Sequence, residues 1–292
     1  MKTALGTVLY KQSFKYLNEF SRSVNNQDCP DFDMLFLNDD LDEAEIDISI
    51  NSIKKKVILS SGKPNSTIPQ LRYQLIKYAK ENNYDLLALV DFDDTFSENR
   101  VSKVKTAFNN EYGFYYNDIY YFYKKNKFFS FLPDYTNEVN QILEQNYLGL
   151  SNTAINLSKI DFDLLEKLNV TICKAFDWYM YSVFLAEGHK GKKVDGCRTY
   201  YRIYENNTAG ECKNTINYIN NEINTKINHY SLLKQWDSKY EELYDYYKAL
   251  QHEWKRGNVD LLSYIDIKND YWWGLIKSNK VKEVIGYNEN QR

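Results

Sequence analysis

Leu86-Leu87-Ala88-Leu89-Val90-Asp91-Phe92-Asp93-Asp94-Thr95 is the stretch on which the reading of this sequence turns. An apolar run stops at three carboxylates. The run is too short for a buried helix and reads as a strand covered on both faces. Its carboxyl end delivers Asp91, Asp93 and Asp94 to one region, and in open α/β sheets ligands bind at that end. Carboxylates so close together repel one another and call for a cation or a shared proton. Oxygen-only donors suit Mg²⁺ or Mn²⁺, and those ions suit a phosphate-bearing substrate.

The remaining composition bounds the class. The chain has 292 residues, 43% hydrophobic and 26% charged. That is enough apolar material for one large domain or a domain with an extension, and it argues against global disorder. The net charge of −3 gives no basic excess for nucleic acid, so a negative substrate has to be met locally. Cys29, Cys173, Cys197 and Cys212 are scattered without a C-x-x-C pair. A zinc site or disulfide framework is not expected, and a reducing cytoplasm is. The first residues lack a signal-peptide apolar core, and no run approaches the roughly 20 apolar residues of a membrane span. Peripheral attachment at the inner face of the membrane stays open.

Outward from the acidic stretch, the pattern alternates. Strands are expected at 4–10, 33–37, 57–59 and 86–90. Between them run helices capped by Ser13, with Phe14, Leu17, Phe20 and Val24 inward, and by a Thr67-Ile68-Pro69-Gln70 capping box, with Ile68, Leu71, Leu75 and Ala79 inward. Ser97 is expected to cap another helix. This is an α/β pattern with a mostly parallel sheet. No G-x-G-x-x-G or G-x-x-x-x-G-K-[ST] occurs, so phosphates are held another way.

From Tyr112 the sequence turns aromatic, with strands expected at 112–118 and 119–123 and a lysine-rich turn at 124–127. Further strands fall at 149–157 and 194–204, a helix at 172–185, and a turn at 206–210. The last 80 or so residues carry helical periodicity, including a final helix around Asp270-Tyr271-Trp272-Trp273. The expected organisation is residues 1–210 as one domain, with a nucleotide-binding half at 1–110 and an acceptor-side half at 111–210, followed by a helical extension at 211–292.

Asp91-Phe92-Asp93-Asp94-Thr95 resembles two known motifs. One is the D-x-D-x-T opening of haloacid-dehalogenase phosphatases, which would make Asp91 a nucleophile and Asp93 a general acid. That motif normally ends the first strand of its domain, whereas about three strands precede it here. The other is the acidic motif at the fourth strand of family 2 glycosyltransferases with the GT-A fold. Further segments are similar to that family in order. They are Phe20 to Gln27, Leu35-Phe36-Leu37-Asn38-Asp39-Asp40, Asn65 to Arg72, Asp91 to Arg100, Lys174-Ala175-Phe176-Asp177-Trp178 and Tyr200-Tyr201-Arg202-Ile203-Tyr204. Asp40 stands where that family usually has glycine, Asn65-Ser66 lacks its third-loop glycine, Phe176 replaces an acid, and Tyr204 replaces a histidine.

The glycosyltransferase resemblance implies an inverting, metal-dependent transfer of a sugar from a nucleotide-diphosphate donor, often a UDP-sugar, to a hydroxyl of a glycan or lipid-linked acceptor. It implies Mn²⁺ or Mg²⁺ on Asp93 and Asp94, donor contacts from Thr7, Tyr10, Asp39, Arg72, Asp91 and Arg202, and Asp177 as general base. Trp178 is expected either to stack on the acceptor or to pack in the core, and Asp177 could equally be a helix cap. His189, His229 and His252 read as surface residues. Oligomerisation would run through the C-terminal helices. A degenerate GT-A domain that only binds is the non-enzymatic alternative, and the intact acidic cluster argues against it.

Overall fold

The computed structural model describes residues 1–203, 216–266 and 269–281. Tyr204, the expected turn at 206–210 and Cys212 lie outside them. The chain divides into two compact units. One comprises Met1–Asn137, Leu148–Thr171 and Gly188–Arg202; the other comprises Glu138–Tyr147, Ile172–Glu187 and Ile203–Arg292.

The first unit is built on one sheet. β1 (Thr3–Leu9), β2 (Asp33–Asn38), β3 (Val57–Ser61) and β4 (Leu86–Leu89) are parallel, in the spatial order β3-β2-β1-β4. They are joined through α1 (Leu17–Asn25), α2 (Glu43–Asn51) and α3 (Ile68–Glu81). β4 is fully buried, as an apolar run covered on both faces should be. The short β5 (Thr95–Phe96) and α4 (Arg100–Ala107) follow the acidic residues. The sheet continues from β4 through β8 (Thr153–Asn156) and β6 (Phe114–Tyr121) to β9 (Gly191–Tyr201), and β5 and β7 (Tyr135–Thr136) pair with β9. β8 is antiparallel to both β4 and β6, and β6 is parallel to β9. β6 and β9 therefore run in the same direction as β1 to β4. The carboxyl ends of all six gather on one edge of the sheet, which bears the residues after Asn38, Leu89, Tyr121 and Tyr201. α5 (Phe162–Glu166) completes this unit.

Several local expectations shift. Ser13 does not cap an α-helix. It sits inside a 3-10 turn, Lys11–Tyr16, with its hydroxyl on the Tyr10 carbonyl. Gln70 does reach back to the Thr67 N–H at 2.7 Å, but Ile68 is 63% exposed because it precedes the face formed by Leu71, Leu75 and Ala79. Asn99 rather than Ser97 precedes α4. The two aromatic strands expected at 112–123 are one strand, β6, whose pairing with β9 shifts register between Tyr116 and Asp118.

The second unit is helical. α6 (Phe176–Ala186), α7 (Ile216–Leu233), α8 (Ser238–Lys255) and the short α9 (Ser278–Val281) form it together with the 138–147 segment. Ile219, Ile223, Tyr230, Tyr240, Leu243, Tyr247 and Leu250 form its inward faces. Asp270 to Trp273 is not a helix: Trp272 forms a β-bridge with Asn146, and Trp273 has φ +59. Just beyond this stretch, Ile276 is held by a buried ion pair. Lys226 Nζ lies 3.3 Å from Glu222 Oε1, both fully enclosed. Lys226 also donates to the Ile276 carbonyl, and Glu222 accepts from the Ile276 N–H at 2.8 Å. His229 is not a surface residue. It is 2% exposed, and its ring stacks on Trp178 with centroids 3.7 Å apart. His252 is exposed as expected. No helix among the described residues is long and apolar enough to cross a membrane.

Candidate functional site

The acidic loop is anchored by the residue between its carboxylates. Phe92 is 1% exposed and stacks on Phe20 of α1 with centroids 4.2 Å apart; Phe36 of β2 lies tilted at 6.3 Å. One aromatic inserted into the core leaves Asp91 and Asp93 half-buried on the site side. The spacing D-x-D thus has a packing origin: the x position is the peg.

Below the loop, a buried guanidinium ties the strands together. Arg100 is 0% exposed and donates to the carbonyls of Leu89 in β4 (2.8 Å) and Thr153 in β8 (3.2 Å), and to Asn117 in β6 (3.0 Å). It closes the seam where parallel pairing becomes antiparallel. Beside it, Gln27 at the end of α1 donates to Ser97 O (2.9 Å) and accepts from Val101 N (3.0 Å), while Ser23 Oγ accepts from Phe96 N at 3.1 Å. The helix-end residues that carried the family resemblance hold the segment following the carboxylates.

The three carboxylates then take different environments. Asp91 pairs with Arg72 at 2.8 Å, both about 30% exposed, and its N–H donates to Ser151 Oγ at 3.3 Å. Asp94 is 1% exposed. Its Oδ1 accepts from the Arg202 N–H at 2.9 Å, and Oδ2 is buried with no hydrogen bond of good geometry. Burial above all, then the charges of Asp93 and Asp91, pushes its carboxyl well above the usual carboxylate range; the Ser151 hydroxyl and the Arg202 N–H pull the other way. Arg202 is 6% exposed. Its guanidinium donates to Asp93 O (2.9 Å), Tyr123 Oη (2.9 Å) and Glu19 Oε2 (2.6 Å), and lies 3.8 Å from the Phe122 ring centroid and 4.6 Å from that of Tyr16. The residue read as a diphosphate contact is thus also the tie that fastens the acidic loop to α1 and to the end of β6.

The donor set can be tested against a divalent ion. Among the described residues no group of three or more His, Cys, Asp or Glu is arranged to hold a metal. A three-carboxylate cage does not fit, because Asp91 is turned to Arg72. An ion on Asp93 and the orphaned Asp94 Oδ2 does fit, since magnesium-like ions are commonly held by one or two carboxylates with phosphate oxygens and water completing the shell.

The remaining expected site residues are distributed unevenly. Asp39 follows β2 on the same edge, its carboxyl raised by burial and by Asp40. Asp40 and Asn65, which stand where the resemblance has glycines, take φ +60 and +58. The backbone keeps the left-handed geometry glycine would allow, using the residue types that tolerate it best. Tyr10 lies just past β1. Thr7 is 1% exposed within β1, so its hydroxyl has no route to a ligand in this arrangement. Asp177 and Trp178 belong to the other unit, in the first turn of α6. Asp177 is half-buried, and its Oδ1 accepts from the Trp178 N–H at 2.8 Å. Burial, followed by the Asp177 charge, pushes the neighbouring Cys173 thiol up to about 12. Trp178 is 0% exposed, donates to the Ile142 carbonyl and stacks on His229, so it is a core residue with no ring face for an acceptor. Sequence reasoning missed Glu19, Ser151, Tyr16 and Phe122. All are ordinary residues of their segments, and only the tertiary pairing singles them out.

The six-strand carboxyl edge with an acidic loop after the fourth strand defines the GT-A glycosyltransferase fold. No family model matches the chain, and no curated protein matches it in sequence. Solved structures do match. S. aureus TarS 1–349 in complex with UDP-GlcNAc aligns at TM-score 0.58 and 14% identity over 88% of this chain and 74% of that one. The same TarS segment in complex with UDP aligns at TM-score 0.54 and 13% identity, over 92% and 76%. GalNAc-T7 with UDP, GalNAc and Mn²⁺ aligns at TM-score 0.60 and 12% identity over 87% of this chain, which spans about half (51%) of that one. At these identities the likeness establishes the shared fold.

Proposed function

We propose that this protein is a metal-dependent, inverting glycosyltransferase of family 2 type that takes a nucleotide-diphosphate sugar, in the first instance a UDP-sugar, as donor. The observation that carries the reading is the acidic loop pegged by Phe92 at the carboxyl edge of a GT-A sheet, with an orphaned Asp94 oxygen beside Asp93. TarS bound to UDP-GlcNAc and GalNAc-T7 bound to UDP and Mn²⁺ support a UDP-type donor and a divalent ion. The phosphatase alternative loses its support, because the acidic motif closes the fourth strand of a GT-A sheet and Asp91 is ion-paired rather than poised to attack.

In this reading Asp93 and Asp94 hold Mn²⁺ or Mg²⁺. A divalent ion held there would supply Lewis-acid charge neutralisation for the leaving diphosphate. Asp39 accepts from the nucleobase, and Tyr10 borders the nucleoside. Asp91 and Arg72 act as a pair, the guanidinium offsetting diphosphate charge while the carboxylate orients it. Arg202 fixes the loop and adds positive charge. Asp177, at the positive end of a helix, is the general base that removes the proton of the attacking acceptor hydroxyl. The acceptor is a glycan or a lipid-linked glycan, and the role is construction of a polysaccharide or glycoconjugate.

The test is release of nucleoside diphosphate from a panel of UDP-, GDP- and TDP-sugars with Mn²⁺ and with chelator. Selective, chelator-sensitive turnover of one donor is expected. Steady phosphate release from a phosphomonoester, with no donor consumed, would return the phosphatase to favour.

A further inference from the structure

We infer that the hairpin following β6, residues 122–131, is a docking surface for an anionic lipid bilayer. β6 ends at Tyr121 on the same sheet edge as the acidic loop. The chain then turns through Tyr123, Lys124, Lys125, Asn126 and Lys127, with Lys125 at φ +54, and returns through the Tyr120–Lys127 bridge and the Phe128 N–H to Ile119 O bond at 2.9 Å. All five turn residues are exposed. Tyr123 is 73% exposed and Phe131 64%, the two most exposed aromatic side chains of the first unit.

Charge and chemistry point to one partner. The chain carries a net charge of −3, yet residues 119–133 contain three lysines and no Asp or Glu. Lys127 is partly neutralised by Asp118 at 3.4 Å; Lys124 lies over the Tyr121 ring, and Lys125 projects at the tip. An exposed turn bearing lysines, with the exposed rings of Tyr123 and, just after it, Phe131, matches an anionic interface, where each lysine is attracted to the headgroups and aromatic rings settle at the headgroup level. A soluble anionic polymer would use the lysines alone. Phe131 presents a 64% exposed apolar ring, which transfer into an apolar phase would stabilise.

The hairpin is also mechanically tied to the site. Tyr123 Oη accepts from Arg202, whose guanidinium stacks on Phe122 and bonds the Asp93 carbonyl. Docking the tip would set the acidic edge against the bilayer. If the sugar-transfer reading holds, that orientation serves a lipid-linked acceptor; the docking surface itself does not depend on that reading.

The test is co-sedimentation of the full chain with vesicles of pure phosphatidylcholine and of equal parts phosphatidylcholine and phosphatidylglycerol. Binding is expected to the anionic vesicles only and to fall with added salt. The K124E/K125E variant should bind at least about tenfold more weakly. F131S should weaken binding several-fold while keeping its salt dependence. Thermal unfolding of both variants should stay close to the parent, since the substituted side chains are exposed. Absence of binding to anionic vesicles, or unchanged binding by K124E/K125E, overturns the inference. So does retention on a soluble polyphosphate column by a protein that leaves vesicles in the supernatant, which would assign the lysines to an anionic polymer. None of these readouts uses catalytic activity, so their failure is separable from failure of the sugar-transfer reading.

Discussion

The backbone N–H of Arg202 donates to Asp94 Oδ1 at 2.9 Å across 108 residues of chain. This bond joins the last strand of the sheet to the loop after the fourth, and the Arg202 side chain reinforces it through Asp93 O and Glu19. The acidic loop is therefore set by the end of β9 as much as by β4.

Replacing Arg202 with alanine keeps the backbone bond but removes the side-chain bonds to Asp93, Tyr123 and Glu19 and the stacking on Phe122. Metal-dependent nucleotide binding should weaken by about tenfold or more, as charge-assisted hydrogen bonds contribute roughly 1.5–3 kcal/mol. Glu19→Gln should give a smaller loss in the same direction, because Glu19 reaches the loop through the Arg202 guanidinium. Titration calorimetry with UDP and Mn²⁺ would resolve both; an unchanged affinity in R202A would remove Arg202 from the site.

Phe92 makes a stability prediction. Phe92→Ala should cost about 3–5 kcal/mol, the usual range for emptying a buried phenylalanine site. It should also loosen nucleotide binding, since the peg sets both flanking carboxylates. Urea unfolding read with and without UDP and Mn²⁺ checks both parts. A mutant that lost stability yet kept full affinity would separate the loop from its core anchor.

The carboxylates and the base should respond differently. Asp93→Ala should weaken Mn²⁺-dependent donor binding. Asp177→Asn should leave donor binding intact and reduce transfer by about 10²–10⁴-fold, the usual contribution of a general base. Full activity in D177N would leave Asp177 as a first-turn acid that stabilises the helix and nothing more.

The helical unit carries a pH dependence through His229. Burial, and secondarily the Lys226 charge, holds its imidazole well below the usual value of 6.5. The Lys226 charge from α7 acts on it, and the rings of Trp178, Tyr230 and Tyr240 pack against it. The folded state rejects a proton that the unfolded chain accepts, so stability is flat above about pH 6.5 and falls by up to about 1.4 kcal/mol per pH unit below it. His229→Phe should flatten the acid limb of a Tm-against-pH profile. An acid limb of the same steepness in that variant would exclude His229 as its source.

The buried Lys226–Glu222 pair gives the sharpest stability contrast. Removing one partner alone, as in Lys226→Ala, should cost about 3–5 kcal/mol. The double change Lys226→Met with Glu222→Gln should recover much of that loss. Equal destabilisation by both would mean that the Ile276 contacts, rather than charge pairing, hold the segment.

The strands and the acidic loop were legible in the sequence because each rests on a local pattern. The buried run before Asp91, the Thr67–Gln70 box and the alternation of apolar segments need no tertiary knowledge. The motif residues around Gln27 and Arg100 were legible by resemblance, and their packing roles were not. What the sequence concealed depends on distant partners. Asp91 reads as a donor contact in the sequence, and its pairing with Arg72 emerges only once α3 is packed on the parallel strands. His229 looked like a surface histidine because α7 is polar around most of its circumference. Trp178, beside the expected base, read equally as core or acceptor contact until its ring was seen between Ile142 and His229. The stretch from Asp270 to Trp273 has helical periodicity, but the bridge from Trp272 to Asn146 and the left-handed turn at Trp273 take it out of a helix.

The most direct test of the central claim is thermal unfolding with Mn²⁺ against UDP, GDP, TDP and CMP. Preferential binding to the folded state raises Tm by mass action. The account predicts a Mn²⁺-dependent rise for one nucleoside diphosphate, UDP in the first instance, that disappears with chelator and in Asp93→Ala. No shift with any nucleotide, with or without Mn²⁺, would contradict a nucleotide-sugar site at the Asp91–Asp94 loop.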